Sequence, residues 1–140
     1  MARLTEFQGK QVLAAAGIAV PKGEVVGTPE QAAAAAARLG TSTVVKAQAW
    51  TTGRAGRGLI RFVETPEGAG QAAAAILATQ VGDFPVTQVL IEERVTVASE
   101  RYVGIILDDR RRCPVLLVSA RGGSGIEETA REHPEAVAEL

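Results

Sequence analysis

Residues 44–62, VVKAQAWTTGRAGRGLIRF, decide how the chain is read. An apolar run carrying one lysine, Lys46, gives way to Thr51-Thr52-Gly53-Arg54-Ala55-Gly56-Arg57-Gly58, and a second apolar run resumes at Leu59. Glycine has no Cβ, so Gly53, Gly56 and Gly58 let the backbone come close to whatever the loop covers. Arg54 and Arg57 in the same loop suit an anion. The pattern describes two strands joined by a cationic loop that can close over phosphate oxygens with N–H groups and guanidinium forks. An ordinary hairpin with a solvated basic tip fits the spacing equally well.

On either side of this hairpin one device recurs. Glu24–Val26 reads as a strand, and Thr28-Pro29-Glu30 then opens a helix with threonine as N-cap, proline at the first helical position and an acid in the first turn. That helix ends with Arg38 in its last turn and Gly40 beyond it. Leu59–Val63 is the second such strand, and Thr65-Pro66-Glu67 opens a helix running to about Thr79. With strands at Val44–Trp50 and Val86–Glu93, the order between Gly23 and Glu93 is β-α-β-loop-β-α-β. This predicts an α/β (α+β) sandwich, a sheet with two alanine-faced helices on one side and Leu39, Ile76 and Leu77 as bulk.

Upstream, Thr5 and Gln8 fit a capping box and Gly17 a stop, so Glu6 to Ala16 is expected to be helical, followed by an extended exit, Ile18–Pro21. Downstream, Arg94–Glu100 reads as a hinge, and Tyr102–Leu107 and Val115–Ala120 as strands across the charged turn Asp108–Arg112. A short helix at Ile126–Glu132 and a continuing helical pattern from Pro134 to Leu140 complete the reading. The chain thus falls into residues 1–22, 23–93 and 94–140. Two strands do not make a stable layer, so 94–140 is expected to be the start of a larger, here incomplete, second subdomain.

Composition narrows the function. Hydrophobic residues make up 46% and charged residues 22%, as in a globular domain. Fifteen basic against sixteen acidic residues do not favour wholesale binding of nucleic acid or an anionic membrane, so an anion site must be a local cluster. Arg110–Arg112 are balanced by Asp108 and Asp109 and have only Tyr102 as a nearby aromatic, which reads as a solvated turn. A lone cysteine, Cys113, cannot form an intrachain disulfide, is expected to be structural, and fits a reducing compartment. His133, the single histidine, reads as surface. The amino terminus is not a signal peptide, no transit peptide is seen, and no apolar run approaches the ~18 residues of a membrane span. The expected setting is the cytoplasm, or the mitochondrial matrix in a eukaryote.

Leu4-Thr5-Glu6-Phe7-Gln8-Gly9-Lys10, Gly17–Pro21, Val44-Val45-Lys46-Ala47-Gln48, Gly53-Arg54, Glu92, Glu100-Arg101-Tyr102 and Gly122-Gly123 followed by Ile126-Glu127 occur in the order found in one family. Over essentially its whole length the chain resembles the amino-terminal part of the β subunit of ADP-forming acyl-CoA synthetases, such as succinyl-CoA synthetase and its citrate- and malate-activating relatives. The resemblance implies an ATP-grasp fold, with 23–93 as its lid and the last hairpin as the start of the second subdomain. It implies ATP as substrate, with Lys46 on its phosphates, Gly53, Arg54 and Ala55 as the covering loop, Glu92 near the adenine and Glu100 on the ribose. Mg²⁺ would be held by ligands outside this segment. A CoA-binding α subunit carrying a phosphohistidine would be the partner. The loop departs from the family's Gly-Gly-Arg-Gly-Lys-Ala-Gly, since Ala55 stands where glycine is usual and Arg57 lies one position past the usual lysine. Ala55, together with the metal ligands expected outside this segment, motivates the alternative of a non-catalytic interaction module built on the same fold.

Overall fold

The computed structural model describes residues 3–51, 55–122 and 130–140. The chain divides into two compact units, Met1–Val95 and Thr96–Leu140.

In the first unit, helix α1 (Glu6–Ala15) starts at a reciprocal capping box: the Thr5 hydroxyl accepts from the Gln8 N–H and the Gln8 side chain accepts from the Thr5 N–H. Helices α2 (Pro29–Leu39) and α3 (Pro66–Leu77) start at their prolines, where the Thr28 and Thr65 hydroxyls accept from the N–H groups of Gln31 and Gly68. Gly40, at φ +66°, closes α2 in the left-handed conformation. Strands β1 (Gly23–Val26), β2 (Thr43–Ala47), β3 (Ile60–Val63) and a later strand, Val89–Glu93, form a four-stranded antiparallel sheet. Between α3 and that later strand lies a separate small hairpin, β4 (Gln80–Val81) with β5 (Phe84–Pro85), so Val89–Glu93 is β6 and the sheet order is β1-β6-β2-β3.

Two strand limits in this unit differ from expectation by three residues, the others by at most one. Residues 86–88 are not part of β6: the Val86 N–H is committed to the Thr79 carbonyl at 3.1 Å, and its side chain, 3% exposed, joins the core under the helices. Likewise β2 stops at Ala47, and Trp50 is 61% exposed.

Side chains alternate across the sheet, and the alternation assigns its two faces. Val45, Ala47, Val89 and Ile91 pack with Ala32, Ala35 and Ala36 of α2 and Ala69, Ala72, Ala73 and Ile76 of α3. Small alanine faces let both helices lie close on the sheet, where burial of apolar area stabilises the unit. Val44, Lys46, Leu90 and Glu92 point the other way, with Val44 opposite Glu92 and Lys46 opposite Leu90 across β2 and β6. That second face is where α1 lies.

The second unit holds β7 (Tyr102–Asp108), β8 (Cys113–Ser119) and β9 (Val137–Glu139) in one antiparallel sheet. Asp108 makes the β7–β8 turn by accepting from the N–H groups of Arg110 and Arg111, and these bonds, the Arg111 one foremost, lower its pKa. Arg111 also pairs with Asp108 and Glu139. The expected helix over Pro134–Leu140 is corrected: only Pro134–Ala136 turns, as a 3₁₀ segment, and β9 then pairs with β8. The unpaired edge of β8 accounts for the change, since Leu140 and Leu116 exchange backbone hydrogen bonds, each of 2.9 Å. Most of the helix expected at Ile126–Glu132 lies outside the described residues. Cys113 is exposed and contributes nothing to a core, contrary to its expected structural role. His133 lies at the surface beside Glu135.

Candidate functional site

On the second face of the sheet four charged side chains close a ring. The Lys46 ammonium, on β2, lies 2.7 Å from Glu92 Oε2 on β6 and 2.8 Å from Glu6 Oε1 on α1. Lys10, one helical turn after Glu6, lies 2.9 Å from the same Glu6 oxygen and pairs with the other Glu92 oxygen, Oε1. Two cations and two anions thus alternate, and the ring carries no net charge. The Glu92 side chain is 3% exposed and that of Lys46 17%, so the pairs act in a medium less screening than water. No buried side-chain N or O atom among the described residues lacks a partner.

The ionisation states follow from competing effects. Burial pushes the Glu6 carboxyl up, but the hydrogen bonds and charges of Lys46 and Lys10 outweigh it and bring its pKa from 4.5 down to about 2. Burial likewise works against the Lys46 ammonium, and the bonds from Glu6 and Glu92 overcome it, so its pKa rises above 10.5. Glu6 and Lys46 are therefore both charged at neutral pH.

Helix α1 reaches this face through polar contacts. None of its residues is buried, and the Phe7 N–H donates to Gln48 Oε1 at 3.1 Å. A cleft of about 260 Å³ remains between α1, β1 and β6, with Phe7, Lys10, Leu90 and Glu92 among its walls. A second cleft, of about 450 Å³, is lined by Gln8, Gln48, Trp50, Phe84 and neighbours.

Of the residues singled out in the sequence, Lys46 and Glu92 are in direct contact. Ala55 opens a 3₁₀ turn, Ala55–Arg57, and Gly53 and Arg54 lie outside the described residues. Glu100 belongs to the second unit, where its carbonyl accepts from the Gly122 N–H at 3.0 Å. A Cβ on Gly122 would stand 2.6 Å from the Arg101 nitrogen and 2.7 Å from the Glu100 carbonyl carbon, so glycine is needed for that approach. Glu6 and Lys10 were missed as site residues. Their signal was the four-residue Glu–Lys spacing at the start of a helix, which is ordinarily a surface pair. Among the described residues no group of three or more His, Cys, Asp or Glu side chains is placed to hold a metal ion. No helix among them is long and apolar enough to cross a membrane.

Residues 3–140 match the family model of the ATP-grasp domain. The chain belongs to the ATP-grasp family. Among solved structures, this ATP-grasp chain is similar to the dinucleotide-forming acetyl-coenzyme A synthetase 1 of Ca. Korarchaeum cryptofilum, solved in complex with coenzyme A and Ca-AMPCP. The TM-score is 0.77 at 17% identity, over 98% of this chain and 59% of that one. A Pyrococcus horikoshii protein gives a TM-score of 0.78 at 19% identity, over 98% of this chain and 57% of that one. At these identities the likeness is one of fold.

In sequence the ATP-grasp chain is 46% identical over 134 residues to the β subunit of the ADP-forming succinate–CoA ligase of Gemmatimonas aurantiaca. It is 42% identical over 134 residues to the β subunit of the GDP-forming enzyme of Thermus thermophilus. Each alignment takes in 96% of this chain and 35% of the relative, so the chain spans about a third of the length of the relatives it matches.

Proposed function

We propose that this ATP-grasp chain is the nucleotide-binding part of an ADP-forming acid–thiol ligase of the succinate–CoA ligase kind. The observation that carries the reading is Lys46, an ammonium fixed on a central strand of the sheet and kept charged by its carboxylate neighbours. A lysine so placed is a point charge at a defined position, suited to phosphate oxygens. The similarity to succinate–CoA ligase β subunits over 96% of the chain supports the substrate class.

In this reading ATP lies on the second face of the sheet. Lys46 meets a phosphate, and Glu92, in contact with Lys46 here, lies on the adenine side, where a carboxylate accepts from the exocyclic amino group. The N–H groups of Gly53, Arg54 and Ala55 cover the phosphates, and Glu100 accepts from ribose hydroxyls. No group of three or more potential metal-ligating side chains gathers among the described residues, and the Mg²⁺ that accompanies ATP is proposed to take its protein ligands from outside this segment.

The complete reaction begins as the γ-phosphoryl group passes from ATP to a histidine of a CoA-binding α subunit, releasing ADP. It passes next to a carboxylate, giving an acyl phosphate. The CoA thiolate then attacks the acyl carbon and inorganic phosphate leaves. This chain's part is to bind, orient and neutralise charge, which is most of what phosphoryl transfer requires. Succinate is the acid proposed, with citrate or malate as the nearest alternatives.

The test is acid- and CoA-dependent ADP formation by the complete enzyme. Lys46→Ala should lower kcat/KM for ATP at least about tenfold, or ~1.4 kcal/mol. Unchanged kinetics would remove Lys46 from the site, and the lack of any nucleotide turnover by the wild-type complex would leave a binding module in place of an enzyme.

A further inference from the structure

Lys46 is not a wall of either cleft described above. Its approach is occupied by α1, whose Glu6 carboxylate sits on the ammonium at 2.8 Å as an anionic phosphate oxygen would. Among the described contacts that hold α1 there, the polar ones are prominent: the Glu6–Lys46 and Lys10–Glu92 pairs and the Phe7–Gln48 hydrogen bond, while no residue of the helix is buried. The helix is also short, with Gly9 in its interior, so little internal stability adds to these contacts.

An ion pair of this kind is exchangeable. A polyphosphate carries more charge than the one carboxylate it would replace on Lys46. We propose that α1 is an anion-exchanging latch: Glu6 occupies Lys46 until a nucleotide phosphate displaces it, so that nucleotide binding and release of α1 from the sheet are one event. The inference rests on the nucleotide reading given above. Glu92 stays with Lys46 throughout, because both lie on adjacent strands of one sheet, whereas Glu6 leaves with its helix. After the exchange Lys10, carried on the same helix, keeps its i,i+4 pair with Glu6 and gives up Glu92.

A merely structural Glu6 and a competing Glu6 predict opposite signs. Removing a support weakens nucleotide binding, and removing a competitor strengthens it. The experiment is calorimetric titration of ATP into the protein with its native partner subunit, wild type against Glu6→Gln. Binding at least about fivefold tighter in Glu6→Gln is expected, since one charge-assisted bond no longer has to be broken. A companion measurement on wild type follows amide hydrogen exchange of α1, which should quicken when ATP saturates the site. If Glu6→Gln folds and binds ATP no more tightly than wild type, the latch is overturned and the nucleotide reading stands. Where Glu6→Gln does not fold, wild-type exchange decides: unchanged or slower exchange in α1 overturns the latch. Absence of ATP binding by wild type overturns both.

Discussion

Replacing Glu92 by glutamine keeps the side chain's shape and removes its charge, which leaves Lys10 and Lys46 sharing the single carboxylate of Glu6. Both Glu92 oxygens accept from ammonium groups, and the side chain is 3% exposed, so no water takes over the role. Breaking a fully buried pair by deleting one partner costs ~3–5 kcal/mol. Here the lysines are 20% and 17% exposed and can turn part-way to solvent, which reduces the expected loss to about 2–3 kcal/mol. Urea unfolding of the 95-residue first unit, followed within the whole protein, reads this quantity, and a thermal scan should show a fall of roughly 10 °C. The loss should not be additive. Glu92→Gln combined with Lys46→Met removes one charge of each sign, and it should be less destabilised than the sum of the single variants by at least about 1 kcal/mol. A loss below ~0.5 kcal/mol for Glu92→Gln, or strict additivity in the double variant, would show that the ring does not act as a coupled unit.

Two further outcomes follow from the same geometry. The Glu6 pKa lies near 2 in the folded protein against 4.5 when unperturbed, so the stability it contributes is complete above pH ~5 and is lost as the pH falls toward 2. The shift corresponds to at most ~3.4 kcal/mol, which solvent contact of its 18%-exposed side chain reduces to about 1–2 kcal/mol, and the stability of Glu6→Gln should lack this component of the acid dependence. Gly122→Ala drives a methyl group into the backbone of Glu100 and Arg101, and it should destabilise the second unit by ~1–3 kcal/mol in urea unfolding. On the ribose role proposed for Glu100, the same substitution should also narrow the difference in affinity between ATP and its 2′,3′-dideoxy analogue.

Elements whose signals are local were legible in the sequence. Thr28-Pro29-Glu30 and Thr65-Pro66-Glu67 carry cap, first-turn proline and acid within three residues, and both helices begin at those prolines. The Thr5–Gln8 capping box is equally local and equally present. The β4–β5 hairpin was not anticipated: two-residue strands carry no periodicity, and the turn glycine, Gly82 at φ +61°, looked like loop. Pro134–Leu140 was misread because its pattern suits a helix in isolation, while its structure is set by an open strand edge far away in sequence. The ring shows the same limit. Lys46 stood out as a charge in an apolar run, but Glu6 and Glu92 lie 40 and 46 residues from it in sequence, and only the fold places them on its ammonium.

The most direct test of the central claim, that Lys46 is the cation of a nucleotide-phosphate site, is lysine labelling with an acyl-phosphate derivative of ATP, which acylates amines beside the bound phosphates. The chain has three lysines, Lys10, Lys22 and Lys46, so peptide mapping resolves every candidate. The account predicts labelling of Lys46, alone or with Lys10, that excess ATP suppresses, and only weak, ATP-insensitive labelling of Lys22. Labelling of Lys46 that ATP does not suppress, or ATP-sensitive labelling confined to Lys22, would contradict it.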